Sequence, residues 1–282
     1  MKILIVGKNS YLGKWVGEAL SNEGHFVIYL SHEKNGELSS DTILFQDLNK
    51  TEYKFDVIIN FAVNYGKNNE SYSEMFSINA LYPLQILEYA KLNNIKYFIN
   101  TATSITSLIN SYTLSKNQFS QWGKLCAENS SVKFINIVLE HYIGEYASDT
   151  NFVSMLLHKM SKNEEYISLT KGMQLRDFIY IEDVVNAYIT IINNLPNIHD
   201  KYFEIEVGAG IPYRIREICE YIKKVLNSKT ELRFGAIPYR EHEIMYTCAD
   251  NTQLRKWGWD TNWSFESAIN RIIEKEKLKW KY

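Results

Sequence analysis

The chain has 282 residues, enough for one large α/β domain or for a main domain with a smaller second lobe. Its apolar share of 45% and charged share of 23% are those of a globular protein, which excludes a disordered or fibrous chain. A formal net charge of −2 excludes the global positive field that binds nucleic acids without sequence preference, so an anionic ligand needs local arginines.

Three cysteines, Cys126, Cys219 and Cys248, are widely separated and lack the spacing of metal ligands. This pattern favours free thiols in a reducing cytoplasm and predicts no metal site. The apolar opening MKILIVG is too short for a signal peptide, and no run of about 18 apolar residues occurs in the chain. We therefore expect a cytoplasmic protein with neither a membrane nor a nucleic acid as partner.

The first half of the chain alternates apolar strand patterns with helical patterns. Residues 2–7 form a short apolar run that ends in glycine, and residues 11–24 carry apolar residues at helical spacing. Further elements are predicted as strands at 25–30, 42–45, 56–62, 96–102 and 133–139 and as a helix at 71–94. This alternation predicts an α/β fold with a Rossmann-type, doubly wound parallel sheet covered by helices on both faces.

The rhythm of the sequence changes near residue 146. Helical patterns FVSMLLHKM and DVVNAYITIINNL are then separated by short strand-like pieces that include YFEIEV and ELRF. We therefore predict a first domain over residues 1–145, with a return segment near 176–200, and a smaller C-terminal α/β lobe over residues 146–282.

Gly7, Ser10 and Gly13 stand between the first strand and the first helix in a G-x-x-S-x-x-G spacing. The free N–H groups at the start of such a helix can receive a pyrophosphate, and the glycines let the backbone approach it. The serine keeps the side chain small, and its hydroxyl can donate to a phosphate. The loop predicts a dinucleotide site, and the alternative is an ordinary strand-to-helix turn.

The end of the second strand discriminates between the two nicotinamide cofactors. Ser31 stands where an acidic residue would accept from the ribose 2′-hydroxyl of NAD and repel the 2′-phosphate of NADP. His32 and Lys34 are potentially cationic neighbours, while Glu33 is acidic. The sequence favours NADP(H), with NAD(H) as the alternative. These residues could also be solvated loop residues with no role in cofactor binding.

The segment SYTLSK places Tyr112 and Lys116 four residues apart and hence on one face of a helix. We expect the ammonium to stabilise the phenolate and to lower the pKa of Tyr112 towards the working range of a proton donor. The segment follows a strand ending in NTATSI, whose hydroxyls are expected at the C-terminal edge of the sheet, where ligands bind.

Together with Asp47-Leu48, INFAV (59–63), TAT (101–103) and RDFIYIEDVVNAY (176–188), these motifs resemble the extended short-chain dehydrogenase/reductase family. Its members are NAD(P)-dependent sugar-nucleotide epimerases, dehydratases and reductases. The resemblance runs from residue 1 to about 260 in the family's order. Within the family, residues 139–146 and 232–259 are most similar to the small reductases of CDP-dideoxyhexose synthesis, such as abequose and paratose synthases.

The resemblance implies a role for each matching residue. Tyr112 would be the acid/base, Lys116 would bind the nicotinamide ribose, and Thr103 would hydrogen-bond the reacting sugar oxygen, with Thr101 and Ser104 as alternatives. The cofactor-binding residues that it implies are Gly7, Ser10, Tyr11, Leu12, Gly13, Ser31, His32, Lys34, Asp47, Leu48, Phe61, Ala62, Val63, Tyr112, Lys116 and His141.

The implied substrate-binding residues are Thr103, His141, Asn151, Arg176 and Arg240. Arg176 and Arg240 would grip the diphosphate of a nucleotide sugar, because guanidinium forks bond its oxygens bidentately. A surface salt bridge is the alternative for each arginine. His141 stands where the family usually has an asparagine, and a satisfied structural histidine is its alternative.

The residues after the strand predicted at 96–102 argue against dehydration as the reaction of this family member. They read Thr103-Ser104-Ile105, where a dehydratase would show Thr-Asp-Glu. The missing acid at Ser31 then favours NADPH-dependent reduction of the C4 ketone of a nucleotide-linked, CDP-favoured 4-keto-6-deoxy- or 3,6-dideoxyhexose. The expected pathway is bacterial surface polysaccharide (O-antigen) synthesis. The alternatives are an NAD-dependent epimerase and a non-catalytic NADP-binding sensor. The family also implies a homodimer through helices near 75–93 and 111–129.

Overall fold

The computed structural model describes residues 1–32, 39–105 and 109–277 of the chain. The described residues form two compact units. The first consists of Met1–Leu139 and Ala187–Glu206, and the second of Glu140–Asn186 and Val207–Tyr282, each in its described part.

Within the described residues the strands are β1 (Lys2–Val6), β2 (Phe26–Ser31), β3 (Thr42–Leu44), β4 (Val57–Asn60), β5 (Tyr97–Thr103), β6 (Lys133–Leu139), β7 (His141–Ile143), β8 (Tyr166–Leu169), β9 (Leu175–Tyr180), β10 (Tyr202–Val207), β11 (Pro212–Arg214) and β12 (Glu231–Phe234). The α-helices are α1 (Tyr11–Asn22), α2 (Tyr72–Phe76), α3 (Tyr82–Leu92), α4 (Ser111–Glu128), α5 (Phe152–Ser161), α6 (Ile181–Asn194), α7 (Ile215–Val225), α8 (Thr252–Lys256) and α9 (Phe265–Glu276). A π-helical turn, Ser77–Leu81, joins α2 to α3.

The first unit contains a sheet with the strand order β10-β6-β5-β4-β1-β2-β3, seven strands among the described residues. The registers between neighbours from β3 to β6 are all parallel. The chain runs outward from β1 in one direction to β2 and β3 and then in the other to β4, β5 and β6. This reversal confirms the predicted doubly wound Rossmann-type sheet and puts its topological switch point between β1 and β4, where such sheets bind ligands.

The strands of this sheet form because their apolar runs are buried on both faces. All four residues of β4 are buried, and so are four of the five in β1. β4, β5 and β6 each carry one asparagine in the apolar run, and the register sets Asn60, Asn100 and Asn136 side by side. Their amides form a chain, with Asn60 Nδ2 donating to Asn100 Oδ1 at 3.1 Å and Asn100 Nδ2 donating to Asn136 Oδ1 at 2.9 Å.

One strand lies elsewhere than the sequence analysis puts it. The segment YFEIEV was predicted with the second lobe, and this is wrong, because it forms β10 and pairs with β6 at the edge of the main sheet. Phe134 N donates to Lys201 O at 2.8 Å where the pairing begins. Its alternating, half-buried pattern fits the edge of any sheet, so the local sequence carries no signal for the partner.

The second unit contains small sheets. β11, β9 and β7 form one of three strands, and β12 pairs with β8 in another. Asp177 in β9 is fully buried and accepts from the backbone N–H groups of Ala209, Gly210 and Ala249 at 2.8, 2.8 and 3.1 Å. One carboxylate thus fixes three chain segments around β9. Among the described helices, none is both long and apolar enough to cross a membrane.

Candidate active site

The predicted phosphate loop joins β1 to α1 in the first unit. Ser10 is the N-cap of α1, and its Oγ accepts from Gly13 N at 2.9 Å, while Ser10 N donates to Gly7 O at 2.9 Å. The first turn of α1 carries no acidic residue. The serine therefore serves as an acceptor that shapes the loop, and its hydroxyl hydrogen is not used by that bond.

Both glycines of the loop are required by close backbone contacts. A Cβ on Gly7, whose φ is +93°, would lie 2.8 Å from Ala62 N, just after β4. A Cβ on Gly13 would lie 2.7 Å from Ser10 Oγ and 2.9 Å from Gly7 O. The loop thus lies at the switch point of the sheet, and its glycines let it pack directly on the backbone that follows β4, as in turns that bind a pyrophosphate.

Gly17 is a further glycine that the sequence analysis missed. A Cβ there would lie 2.2 Å from the Tyr29 hydroxyl and 2.9 Å from Ile5 Cδ1, so α1 packs closely on β1 and β2 only because Gly17 has no side chain. Its place four residues after Gly13 was the available signal.

The segments that follow β2 and β3 carry the residues predicted near the adenosine of the cofactor. The ring of His32 stacks on Phe45, with centroids 6.2 Å apart, and meets Tyr82 edge-on at 4.9 Å. Asp47 forms an ion pair with Lys50 at 2.8 Å. Lys34, like Glu33, lies outside the described residues.

Lys8 is a cation in this region that the sequence analysis overlooked. Its Nζ donates to Thr42 Oγ1 at 2.5 Å and also contacts Ser39, with Asp41 at 3.9 Å. Thr42 begins β3 and pairs with Tyr29, two residues before Ser31. A lysine of the glycine loop is therefore directed towards the start of β3 and the residues just before it. The signal was its position directly after Gly7.

The structure brings Thr103 and Tyr112 together at the carboxyl end of the sheet. Thr103 ends β5 and is buried, and its side chain is hydrogen-bonded to that of Tyr112 on α4. Lys116 follows one turn later on α4 and is 3% exposed. Of the two alternatives for Thr103, Thr101 bonds instead to the Tyr188 hydroxyl at 2.7 Å, and Ser104 is half-buried at the end of the strand.

The electrostatics of the pair differ from the prediction. Burial raises the pKa of Tyr112, the neighbouring phenol of Tyr65 raises it further, and the hydrogen bond from Thr103 only partly opposes them. The prediction that Lys116 lowers the pKa of Tyr112 is thus wrong for this arrangement. Burial lowers the pKa of Lys116 to about 8, because removing the ammonium group from water disfavours its charged form.

Asn79 contacts α4, the helix that carries Tyr112 and Lys116, and was not predicted from the sequence. It is fully buried in the π-helical turn, and its Nδ2 donates to Ser115 Oγ on α4 at 3.1 Å. Ser115 Oγ in turn donates to Ser111 O at 2.7 Å. The signal was an asparagine inside an apolar helical run, a place where an unpaired amide would be costly.

Arg176, predicted to hold a diphosphate, lies in β9 of the second unit with its side chain 9% exposed. Its Nη2 donates to Glu243 Oε1 at 2.7 Å and its Nη1 to Leu175 O at 2.8 Å. Burial lowers the pKa of Arg176, and the carboxylates of Glu243 and Glu140 oppose that shift. Glu243, three residues after Arg240, is therefore a second member of this site that the sequence did not reveal.

His141 contacts a buried carboxylate of the same unit. Glu140 Oε2 lies 3.2 Å from His141 Nδ1 and accepts from Thr247 Oγ1 at 3.0 Å. Holding Nδ1 in this way fixes the imidazole and leaves Nε2 as its atom for a ligand. Glu140 directly follows β6 and was not predicted as a site residue.

The two other predicted substrate residues differ in availability. Asn151 is the N-cap of α5; its Oδ1 accepts from Val153 N at 3.0 Å and its Nδ2 donates to Tyr142 O at 3.2 Å. Arg240 is exposed, and its guanidinium makes no hydrogen bond or ion pair with the part of the chain that the structure describes. Arg240 is thus free to meet an anion, whereas Asn151 already uses both ends of its amide.

A glycine loop at the switch point of a parallel sheet, with a threonine, a tyrosine and a buried lysine at its carboxyl edge, defines an NAD(P)-dependent enzyme of the Rossmann type. Residues 3–205 match the sequence model of the NAD dependent epimerase/dehydratase family. The chain belongs to this family and is a sugar-nucleotide enzyme of its oxidoreductase/epimerase type.

Individual proteins are similar to this chain in sequence or in fold. The chain is 31% identical to CDP-abequose synthase of Salmonella muenchen over 96% of its own length and 97% of the relative's. Its fold is similar to that of UDP-glucose 4-epimerase with UDP-glucose from Thermotoga maritima, with a TM-score of 0.83, 16% identity and 99% of each chain covered. It is also similar to MoeE5 in complex with UDP-glucuronic acid and NAD, with a TM-score of 0.84, 16% identity and coverage of 99% and 100%.

Proposed function

We propose that the protein reduces the C4 ketone of a CDP-linked 4-keto-6-deoxy- or 4-keto-3,6-dideoxyhexose with NADPH. The observation that carries the proposal is the hydrogen-bonded Thr103 and Tyr112 pair with Lys116 one helical turn away. The similarity to a CDP-abequose synthase over nearly the whole of both chains supports the substrate class.

The residues of the first unit fit a dinucleotide, since Gly7 and Gly13 let the loop turn tightly against Ala62 and Ser10 at the start of α1. We assign the pyrophosphate to the start of α1, with the loop and helix residues Gly7, Ser10, Tyr11, Leu12 and Gly13. Asp47 and Leu48 would contact the adenine, and Phe61, Ala62 and Val63 would lie along the cofactor. When bound there, the cofactor would supply the hydride for the ketone carbon of the substrate.

The choice of NADP(H) is supported by two residues. Ser31 offers no carboxylate to repel a 2′-phosphate. Lys8 is directed towards the start of β3, next to the end of β2, and could exchange its contacts with Thr42 and Ser39 for a phosphate. NAD(H) is the alternative, because MoeE5 is described with NAD.

In the proposed mechanism Tyr112 donates its proton to the oxygen on C4. Burial raises the pKa of Tyr112, so the phenol is neutral at working pH and carries the proton that a reduction consumes. Thr103, bonded to the phenol, orients the same oxygen. Lys116 would bind the nicotinamide ribose and limit the negative charge that develops on Tyr112.

The second unit would hold the nucleotide sugar. Arg240 is exposed and would meet the diphosphate directly, whereas Arg176 would either share its guanidinium with Glu243 or exchange that partner for phosphate oxygens. His141 would present Nε2 to the cofactor or the sugar, and Asn151 would contribute mainly by fixing the start of α5.

We also propose a homodimer formed through α2, α3 and α4. These helices expose large apolar side chains, namely Phe76, Ile78 and Leu81 around the π-helical turn, Leu92 at the end of α3, and Leu114, Trp122 and Leu125 on α4. Exposed large apolar side chains on neighbouring helices are typical of an interface. The cytoplasm and a bacterial O-antigen pathway belong to the same proposal.

An epimerase is the second candidate, because a UDP-glucose 4-epimerase shares this fold. An epimerase must begin by removing a proton, and the raised pKa of Tyr112 disfavours the phenolate that this step needs. A non-catalytic sensor is a weaker candidate, since it needs no hydrogen-bonded Thr103 and Tyr112.

The test measures NADPH oxidation with CDP-, dTDP- and GDP-linked 4-keto-deoxyhexoses and determines the C4 configuration of each product by NMR. We expect turnover with one configuration at C4 and the highest kcat/KM for CDP. Stoichiometric NAD in the purified protein, with interconversion of C4 epimers and no net oxidation, would identify an epimerase. Binding of NADPH without oxidation by any ketone would identify a sensor.

A further inference from the structure

The loop that follows β4 places a second aromatic side chain beside the catalytic tyrosine. The ring centroids of Tyr65 and Tyr112 lie 5.2 Å apart, with 38° between the ring planes. Both residues belong to the first unit. No role in the proposed reaction has yet been given to Tyr65, although it touches the proposed proton donor.

The backbone on both sides of Tyr65 is anchored near the catalytic helix. Asn64 N donates to Asn79 Oδ1, and Asn79 Nδ2 donates back to Asn64 O, each at 2.8 Å. The fully buried Asn79 also bonds to Ser115 on α4. Gly66, with φ of +69°, donates its N–H to Asn64 Oδ1 at 2.9 Å and turns the chain. The fold therefore sets the position of Tyr65 relative to α4.

Tyr65 keeps surface for a ligand in this position. Lys67 Nζ lies 5.4 Å from the centroid of the Tyr65 ring. With this lysine in place, Tyr65 is still 45% exposed. An exposed aromatic ring fixed against the half-buried phenol of Tyr112 offers apolar surface beside the proposed proton donor. Covering such surface is favourable, so a ligand with an apolar patch gains more there than a fully polar one.

We propose that Tyr65 is a positioning residue that recognises the deoxygenated part of the reacting hexose. A deoxyhexose carries CH₂ or CH₃ groups where other hexoses carry hydroxyls, and these groups can pack on an aromatic ring without leaving a polar group unpaired. The ring thereby selects deoxygenated sugars and holds the C4 oxygen near Tyr112. The inference rests on the proposed function, because it takes Tyr112 as the donor to that oxygen.

The test compares Tyr65→Phe and Tyr65→Leu in the full chain saturated with NADP⁺. Calorimetry gives the Kd of CDP, CDP-glucose and CDP-6-deoxyglucose, and the dTDP forms are measured in parallel. Tyr53→Leu is the matched control, since Tyr53 is similarly exposed, at 39%, and packs on Phe26 and Phe55 instead. None of these ligands carries the ketone, so the readout does not depend on turnover.

We expect the wild type and Tyr65→Phe to prefer the 6-deoxy sugar over glucose on the same nucleotide. Tyr65→Leu should weaken binding of the 6-deoxy sugar about tenfold and that of the nucleotide alone less than about twofold. With the ketone substrate, it should raise KM by a similar factor with a smaller change in kcat. The Tyr53→Leu control should match the wild type.

The inference is overturned if Tyr65→Leu keeps the preference for the deoxy sugar, if Tyr65→Phe loses it equally, or if the wild type has none. A wild type that shows this preference but oxidises no NADPH with any ketone contradicts the proposed reaction and leaves the recognition role standing. The two failures are therefore distinguishable.

Discussion

Tyr112 and Lys116 lose most of their contact with water where α4 packs beside the end of β5. Burial raises the pKa of Tyr112 and lowers that of Lys116 to about 8, so each group is held towards its neutral form. A neutral phenol is an acid, and an acid is what the oxygen of a ketone requires as hydride reaches its carbon. At the scale of single residues, the site thus holds a neutral phenol of the kind that the proposed reduction needs as its proton donor.

Replacing Tyr112 with phenylalanine tests this role. Tyr112→Phe should lower kcat by about 10² to 10⁴, the usual contribution of a positioned proton donor, because only the hydroxyl is removed. The Kd of NADPH, measured by fluorescence titration, should change less than about twofold. Tyr82→Phe is a matched control, since that buried hydroxyl has no hydrogen-bond partner among the described residues. Turnover equal to the wild type in Tyr112→Phe would exclude the role.

The depressed pKa of Lys116 predicts a pH-dependent cost to stability. Between about pH 8 and 10.5 the unfolded chain binds a proton at Lys116 that the folded chain lacks, so this residue makes stability rise with pH. Below pH 8 the full cost of burying the ammonium is present. Lys116→Met removes that cost and should stabilise the protein by about 1–3 kcal/mol at pH 7.

Urea unfolding of the cofactor-free protein at pH 7 and pH 9.5 checks this expectation. The advantage of Lys116→Met should shrink by about 1–2 kcal/mol between the two pH values. Lys14→Met, at an exposed position of α1, reports the effect of replacing a lysine elsewhere. An advantage of Lys116→Met that is absent, or equal at both pH values, would contradict the account.

At the scale of secondary-structure elements, the amide chain through Asn60, Asn100 and Asn136 links β4, β5 and β6. It continues to Glu204 of β10, because Asn136 Nδ2 donates to Glu204 Oε2 at 2.9 Å. Since Asn60 Oδ1 also accepts from Ala62 N at 3.1 Å, the chain reaches the turn against which Gly7 packs. Hydrogen bonds inside the sheet thus fix the strand register and also the turn at Ala62, on which the glycine loop packs.

Asn100→Ala should break this chain at its centre. The change leaves Asn60 Nδ2 buried without its acceptor and removes one of the two donors to Asn136 Oδ1, which keeps Ser120 Oγ at 3.2 Å. We expect a loss of about 1–3 kcal/mol of unfolding free energy by urea denaturation. Asn129→Ala, which removes an exposed amide bonded to Leu125 O, is the control and should cost less than about 1 kcal/mol. Equal losses in the two variants would show that the amide chain contributes no special stability.

At the scale of the whole molecule, periodic apolar runs were sufficient to predict the strands from β1 to β6 and the helices between them. These strands are buried on both faces, and a continuous apolar run in the local sequence is enough to indicate that burial. The pairing of β10 with β6 could not be predicted in this way, because it depends on which sheet has an unpaired edge strand. The same limit applies to the amide chain. Three asparagines recur in similar runs, yet only the register shows that they touch.

The candidate site divides in the same way. The spacing of Tyr112 and Lys116 was enough to predict a shared helix face, and the end of β5 to predict the hydroxyl of Thr103 beside them. The direction in which the pKa of Tyr112 shifts depends on burial, and the spacing of two residues in the sequence gives no information about burial. Glu243, which pairs with Arg176, and Tyr65, which contacts Tyr112, were missed because their contacts join segments that are distant in the chain.

The central claim is net transfer of a hydride from NADPH to C4 of the sugar. The most direct measurement uses NADPH deuterated at nicotinamide C4, on each face in turn, with a CDP-4-keto-deoxyhexose, followed by NMR of the product. We predict that one of the two labelled forms delivers one deuterium per turnover to C4, in a single configuration, with an equal amount of NADP⁺ formed. Interconversion of C4 epimers with no deuterium in the sugar and no NADPH consumed would contradict the account.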